Sequence, residues 1–381
     1  MEQRKRIYLC LAHMSETGEE QKYIKEAFDT NWVVPLGPNV NGFESDLERF
    51  MGEGKSVVAL SAGTAAVHLA LVACGVEAGD EVICQSFTFC ASSHPITYQG
   101  ATPVFVDSEP DTWNMDPVLL EEAILDRIRK TRRIPKAIIP VALYGMPYRI
   151  DRIMRVANKY NIPVIEDAAE GFGSSFCGRR LGTFGRYGVL SFNGNKMITT
   201  SGGGALVCSS PEDKNTIMWY ATQAREAYPY YQHEAVGYNY RMSNICAGIG
   251  RGQMKVLPLR VEQKRAIFAR YCENLKGLPL TMQPELPCAE SNRWLSVALL
   301  DKGCNVTPGE MLTKLNEVGI EGRYLWKPMH LQPVFANCPF VSVSDAPVGD
   351  DLFARGVCLP SDTKMSTDDV DRVCDTIRGM F

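Results

Sequence analysis

The chain has 381 residues, 45% of them hydrophobic and 22% charged, the make-up of a globular protein with room for one large domain and a smaller one. Its net charge of −4 offers no electrostatic footprint for nucleic acid or for an anionic membrane surface. Thirteen cysteines, never spaced CxxC, and five histidines without an HExxH pattern argue against a disulfide framework and a metal site; the thiols are expected to be reduced and mostly buried, in a cytoplasmic protein.

At the start of the chain Arg4-Lys5-Arg6 reads as a solvated face, and the apolar run at 7–12 is too short for a signal-peptide core or a membrane span. From about residue 55 to 210, apolar runs at 57–60, 81–84, 103–106, 137–141 and 163–166 alternate with helix-like stretches such as 65–74 and 151–160. Continuous apolar strands separated by helices predict a mostly parallel sheet covered on both faces. Helices are further expected at 212–225, at 241–275 and at 367–380, with Pro-rich turns and shorter elements beginning near Leu278. There is no internal repeat and no low-complexity tract. This predicts an α/β large domain over residues 1–250 and a smaller C-terminal domain over 251–381.

Three local patterns carry chemistry. Ser61-Ala62-Gly63-Thr64 is a small-residue turn entering a helix, where free backbone N–H groups and the helix dipole suit a phosphate. It is not a Walker A loop, and no GxGxxG occurs anywhere in the chain, which counts against ATP hydrolysis and a dinucleotide fold. Val164-Ile165-Glu166-Asp167 ends a strand in carboxylates, at the strand end where ligands of parallel sheets bind. Asp167 can hold a protonated ring nitrogen, or it can be an ordinary helix N-cap. Lys196 follows an apolar strand and precedes Thr199-Thr200-Ser201-Gly202-Gly203-Gly204, a placement open to Schiff-base chemistry and equally to a surface lysine in a hairpin turn.

The order of these patterns, with an aromatic strand end at Phe89, matches fold-type I pyridoxal enzymes. From residue 15 almost to the C-terminus the chain resembles the DegT/DnrJ/EryC1/StrS family of sugar aminotransferases. The resemblance is carried by Gly42-Phe43-Glu44, residues 61–68, Gly79-Asp80-Glu81-Val82-Ile83, residues 166–169, Leu181-Gly182, Ser191-Phe192 with Lys196, and residues 237–243. Within that family it is most similar to the aminotransferases of the bacillosamine pathway. That likeness rests on Asn193-Gly194-Asn195-Lys196, residues 222–226, Asn292-Arg293-Trp294-Leu295-Ser296, Leu325-Trp326-Lys327-Pro328-Met329-His330 and Leu359-Pro360-Ser361.

The resemblance implies a fold-type I large domain, aspartate aminotransferase-like, binding pyridoxal 5′-phosphate that cycles through pyridoxamine phosphate. It implies Lys196 as the Schiff-base lysine and proton carrier, Asp167 on the pyridinium nitrogen and Phe89 stacked on the ring. Ala62, Gly63, Thr64 and Ser191 are implied at the phosphate. Asn239 is implied at the neighbouring subunit's cofactor phosphate, making a homodimer with shared active sites. Glu170 is expected beside the cofactor's 3-hydroxyl or the sugar. Arg293 and His330 are expected substrate contacts, His330 being equally readable as a satisfied structural histidine.

The implied reaction moves an amino group, with L-glutamate as donor, to C4 of a UDP-linked 4-keto-6-deoxy-N-acetylhexosamine for glycan or polysaccharide biosynthesis. A 3-keto-sugar or dTDP-sugar aminotransferase and a non-catalytic pyridoxal-binding regulator are the alternatives. A sugar dehydratase of this kind would carry histidine in place of Lys196.

Overall fold

Runs of β-branched and other apolar residues without polar alternation form strands that must be covered on both faces. The computed structural model describes residues 5–343 and 345–381, so Arg4 of the basic cluster lies outside the described residues. In chain order the strands are β1 (Ser56–Leu60), β2 (Glu81–Gln85), β3 (Thr102–Val106), β4 (Ala137–Ile139), β5 (Ile165–Asp167), β6 (Tyr187–Ser191) and β7 (Gly204–Cys208). Strands β3, β2 and β4 pair in parallel, as do β5 and β6. Parallel bridges from Ile138 to Val164 and from Val141 to Asp167 join β4 to β5. Only β7 runs antiparallel, between β6 and β1. The result is a mostly parallel sheet in which these strands lie in the order β3-β2-β4-β5-β6-β7-β1, with Phe340–Val341 pairing in parallel on the outer side of β3, as the apolar runs predicted.

Alternation along the strands divides the core between the two faces. Val57, Ala59, Ile83, Val104, Ile138 and Leu190 belong to one cluster; Val58, Leu60, Val82, Phe105, Ile139 and Val189 belong to the other. A second, antiparallel sheet is built from β8 (Leu280–Met282), β9 (Ser296–Leu300), β10 (Arg323–Tyr324) and β11 (Gly356–Leu359), in the order β8-β9-β11-β10. Its core takes in Ile7 from the other end of the chain: Ile7 bridges Ile320 and donates its N–H to Gly319 O at 2.9 Å.

Three expectations change in detail. The helix expected over 212–225 runs Pro211–Ala221, because Gln223 (φ 71°) and Ala224 (φ 49°) adopt the left-handed region. The long helical stretch at 241–275 is two helices, Asn244–Met254 and Leu257–Asn274. Pro258, which lacks an N–H, is tolerated in the first turn of the second helix and not in the interior of one continuous helix. The thiols, expected to be mostly buried, are buried at Cys84, Cys208, Cys358 and Cys374, while Cys177, Cys272 and Cys288 are exposed. Among the described residues no helix is long and apolar enough to cross a membrane.

Alternation also sends the two acidic residues at the end of β5 to opposite faces. Glu166 is fully buried; its Oε2 accepts from the Phe184 N–H at 3.0 Å, while its Oε1 and the nearby Tyr148 hydroxyl have no hydrogen-bond partner among the described residues. Burial pushes the Glu166 carboxyl up to about 7 from 4.5, against backbone hydrogen bonds that favour the carboxylate. A folded-state value above the unfolded one means the native state holds the proton more tightly. That stability is therefore fully present below about pH 4.5 and is lost as the pH rises towards 7. Glu166→Gln, which cannot ionise, is expected to be more stable than the parent by about 3 kcal/mol at pH 8 and nearly equal to it at pH 4.5. Urea unfolding at the two pH values measures the difference; an identical pH dependence in variant and parent would rule the assignment out.

Candidate active site

The helix Gly63–Ala73 begins directly after β1, with Ala62 extended at its N-cap and no side chain capping its first N–H groups. Those donors and the positive end of the helix dipole face a cavity of about 180 Å³, which Ala62, Gly63 and Thr64 line. The hydroxyl-bearing Ser191, last residue of β6, lies alongside: a Cβ on Gly63 would meet the Ser191 Cβ at 3.1 Å. Gly204, opposite Ser191 on β7, allows this approach, since a Cβ there would fall 2.4 Å from the Gly63 nitrogen.

Asp167, Glu170, Lys196 and Phe89 line the same cavity. Asp167 Oδ2 accepts from the Ser92 hydroxyl at 2.6 Å, and Ser92 is itself 2.9 Å from the Thr88 hydroxyl. Its Oδ1 accepts from the Ala169 N–H at 3.1 Å, a local cap, although a turn and not a helix follows. Burial raises the Asp167 carboxyl above the usual range, against these donors and the positive charge of Lys196. Among the described residues no ion pair reaches it. Glu170 is raised by burial too; its Oε2 takes the Tyr144 N–H at 2.7 Å and its Oε1 lies 3.3 Å from Lys196 Nζ. Phe89 is 53% exposed at the mouth, its ring 6.2 Å from that of Trp326.

Three expected residues lie outside the cavity. Arg293 is buried with its guanidinium 3.7 Å over the Phe268 ring, donates to Gln283 O at 2.9 Å and pairs with Glu285 at 3.2 Å. The His330 ring stacks on Phe340 at 3.6 Å, with Nδ1 2.7 Å from Ser86 Oγ and Nε2 3.2 Å from Asp350. Both ring nitrogens of His330 thus have partners within the chain. Asn239 is exposed, bridged to Thr222 on an excursion that also exposes Tyr228, Tyr230 and Tyr231. Sequence reasoning overlooked Ser92, Tyr144 and Asn292. Their partners are tens of residues or more away; Asn292 falls within the 292–296 segment that carries the resemblance, which gives it no role.

This donor set fits the cofactor that the resemblance implies. Uncapped helix N–H groups and Ser191 suit a phosphate, and Thr64 carries a further hydroxyl. Asp167, a buried carboxyl with hydroxyl and amide donors but no ion-pair partner among the described residues, suits a protonated ring nitrogen. Lys196 supplies an amine within the same walls.

Comparison with known proteins agrees. Residues 14–378 match the DegT/DnrJ/EryC1/StrS aminotransferase family. The chain is 48% identical to EpsN of Bacillus subtilis (strain 168), named for a pyridoxal phosphate-dependent aminotransferase, over 99% of this chain and 96% of EpsN. It is 34% identical to the GDP-perosamine synthase of Escherichia coli O157:H7, over 98% and 99% of the two chains. Spr1654 from Streptococcus pneumoniae, classed as a sugar aminotransferase and solved in its PLP form, superposes with a TM-score of 0.89 at 26% identity, over 98% of each chain.

Gly204→Ala tests the close approach of helix and sheet. A methyl group 2.4 Å from the Gly63 nitrogen has to push the helix start away from Ser191. The variant is expected to be less stable by about 2 kcal/mol and to bind pyridoxal phosphate at least tenfold more weakly, as measured by thermal unfolding and by cofactor titration of the apoprotein.

Proposed function

We propose that this chain, which belongs to the DegT/DnrJ/EryC1/StrS aminotransferase family, transfers an amino group from L-glutamate to C4 of a UDP-linked 4-keto-6-deoxy-N-acetylhexosamine. At the family level it is a pyridoxal-phosphate-dependent sugar aminotransferase. The observation that carries the site reading is the convergence of Lys196, Glu170 and Asp167 on one cavity at an uncapped helix start. The choice of a UDP-4-keto-sugar is supported by the segments shared with bacillosamine-pathway enzymes, above all Asn193 to Lys196 and Asn292 to Ser296.

Bound pyridoxal phosphate supplies the electron sink that lets a proton leave the carbon bearing the transferred nitrogen. Gly63, Thr64 and Ser191 would hold the phosphate, Ala62 shaping the turn, and Phe89 would lie against the ring. Asp167, steadied by Ser92 and the Ala169 N–H, would keep the ring nitrogen protonated. Lys196 would hold the cofactor through its amine, and that amine, once free, would take and return the proton at the substrate carbon. Glu170 orients that amine across 3.3 Å.

The same reading takes the active unit as a cytoplasmic homodimer in which Asn239 reaches the cofactor phosphate of the neighbouring subunit. Exposed apolar side chains at Trp32, Val33, Val34 and Leu36, with Tyr228, Tyr230 and Tyr231, support a second copy as partner.

A GDP-linked 4-keto-sugar is the second reading, favoured by the GDP-perosamine synthase relative. Incubation with L-glutamate and a panel of UDP-, GDP- and dTDP-linked keto-sugars, followed by NMR of the product, separates the two. Amination at C4 of the UDP sugar is expected; turnover of the GDP sugar alone would transfer the assignment to that nucleotide, and no product from any sugar would overturn it. Lys196→Ala is expected to abolish turnover and borohydride-reducible cofactor attachment. Asp167→Asn is expected to lower kcat by at least about a hundredfold.

A further inference from the structure

Lys196 has a second partner that the mechanism above leaves unused. Its Nζ lies 4.2 Å from the ring centroid of Trp294, which is only 2% exposed. The indole is tied at every polar atom. Its Nε1 donates to Asn195 O at 2.7 Å, the carbonyl immediately before Lys196, and the same oxygen accepts from Cys10 Sγ at 3.3 Å. The backbone N–H of Trp294 donates to Asn292 Oδ1 at 2.8 Å, and Asn292 Nδ2 donates in turn to Glu170 O at 2.8 Å. The Trp294 carbonyl accepts from Lys264 Nζ at 2.9 Å, and that amine also reaches Cys10 Sγ at 3.0 Å.

Lys264 sharpens the point. It is 2% exposed and has no carboxylate within ion-pair distance among the described residues, so its burial costs free energy that its two hydrogen bonds must offset. Its two hydrogen bonds end on the Trp294 carbonyl and on the thiol that steadies Asn195. The arrangement therefore braces one aromatic face and the turn carrying one lysine.

We infer that Trp294, held by Lys264 and Cys10, is a positioning residue for Lys196 that gives the amine an aromatic resting face whenever it is not bonded to the cofactor. This rests on the reading of Lys196 as the cofactor lysine. Its physical content is a cation–π attraction acting on the free ammonium alone. The lysine is released in the pyridoxamine form and bonded in the pyridoxal form, so Trp294 favours the former and leaves the latter untouched. Removing the ring shifts the partition between the two towards the lysine-bound form.

The partition is read from the visible absorbance of the holoenzyme in graded mixtures of L-glutamate and 2-oxoglutarate. Trp294→Leu is expected to move it about 5- to 30-fold towards the lysine-bound form. Trp294→Phe keeps an aromatic face, gives up the indole N–H, and is expected to stay within about threefold of the parent. Tetrafluorotryptophan at position 294 keeps both shape and N–H but loses the negative ring face; it is expected to shift the partition in the same direction as leucine at unchanged melting temperature, which keeps the test decisive if Trp294→Leu does not fold. An unmoved partition in the fluorinated protein, with borohydride attachment at Lys196 intact, would overturn the inference alone. Attachment persisting in Lys196→Ala would instead overturn the lysine reading beneath it.

Discussion

Two carboxyls taken out of water, Asp167 and Glu170, set the terms for the rest of the structure. Neither is tolerable in a cavity walled by an apolar sheet unless donors from elsewhere are brought to it. Ser92 comes from the turn after β2, the Tyr144 peptide from the loop after β4, and Lys196 from the turn after β6. Asn292, from just before β9, grips the Glu170 carbonyl and so draws the C-terminal part of the chain against the cavity. The site is the place where four separate loops meet the same electrostatic demand.

The sheet answers that demand by its period. Because successive side chains point to opposite faces, neighbouring acids on β5 face different surroundings: Asp167 looks into the cavity and Glu166 into the packed interior behind it. One is supplied with a hydroxyl donor on one oxygen and an amide donor on the other, while the second acid keeps an oxygen without a partner among the described residues. The same two-residue period gives β6 its position, so that Ser191 ends beside the start of the Gly63–Ala73 helix.

What could be read from the sequence was local chemistry on a regular scaffold. Lys196, Asp167 and the turn at Gly63 stand at strand ends, and strand ends are visible as the boundaries of apolar runs. Ser92, Tyr144, Asn292 and Trp294 were not legible as site residues, because each acts through a partner tens of residues or more away in sequence. A serine after an aromatic turn, or a tryptophan before a strand, looks the same whether it supports a cavity or fills a core. Arg293 illustrates the converse: a charged residue inside a shared segment invites a substrate role, yet its guanidinium is committed to Phe268, Gln283 and Glu285. Helix ends failed for a related reason, since the close packing of Gly237 on Gln223 that accompanies the turn after Ala221 is a tertiary contact.

The docking of the first residues against the last part of the chain has a consequence for synthesis. Ile7 pairs with Ile320, the Leu9 carbonyl accepts from Ser361, and Leu11 and His13 both bond to Asp362. A ribosome releases residues 7–13 early and their partners only near the end, an interval of tens of seconds at ordinary elongation rates. During that interval residues 7–13 are without these partners, and the turn bearing Lys196 emerges before Lys264 and Trp294, which brace it. The sheet can assemble as it is translated, whereas the turn around Lys196 gains its brace only once translation has passed residue 294.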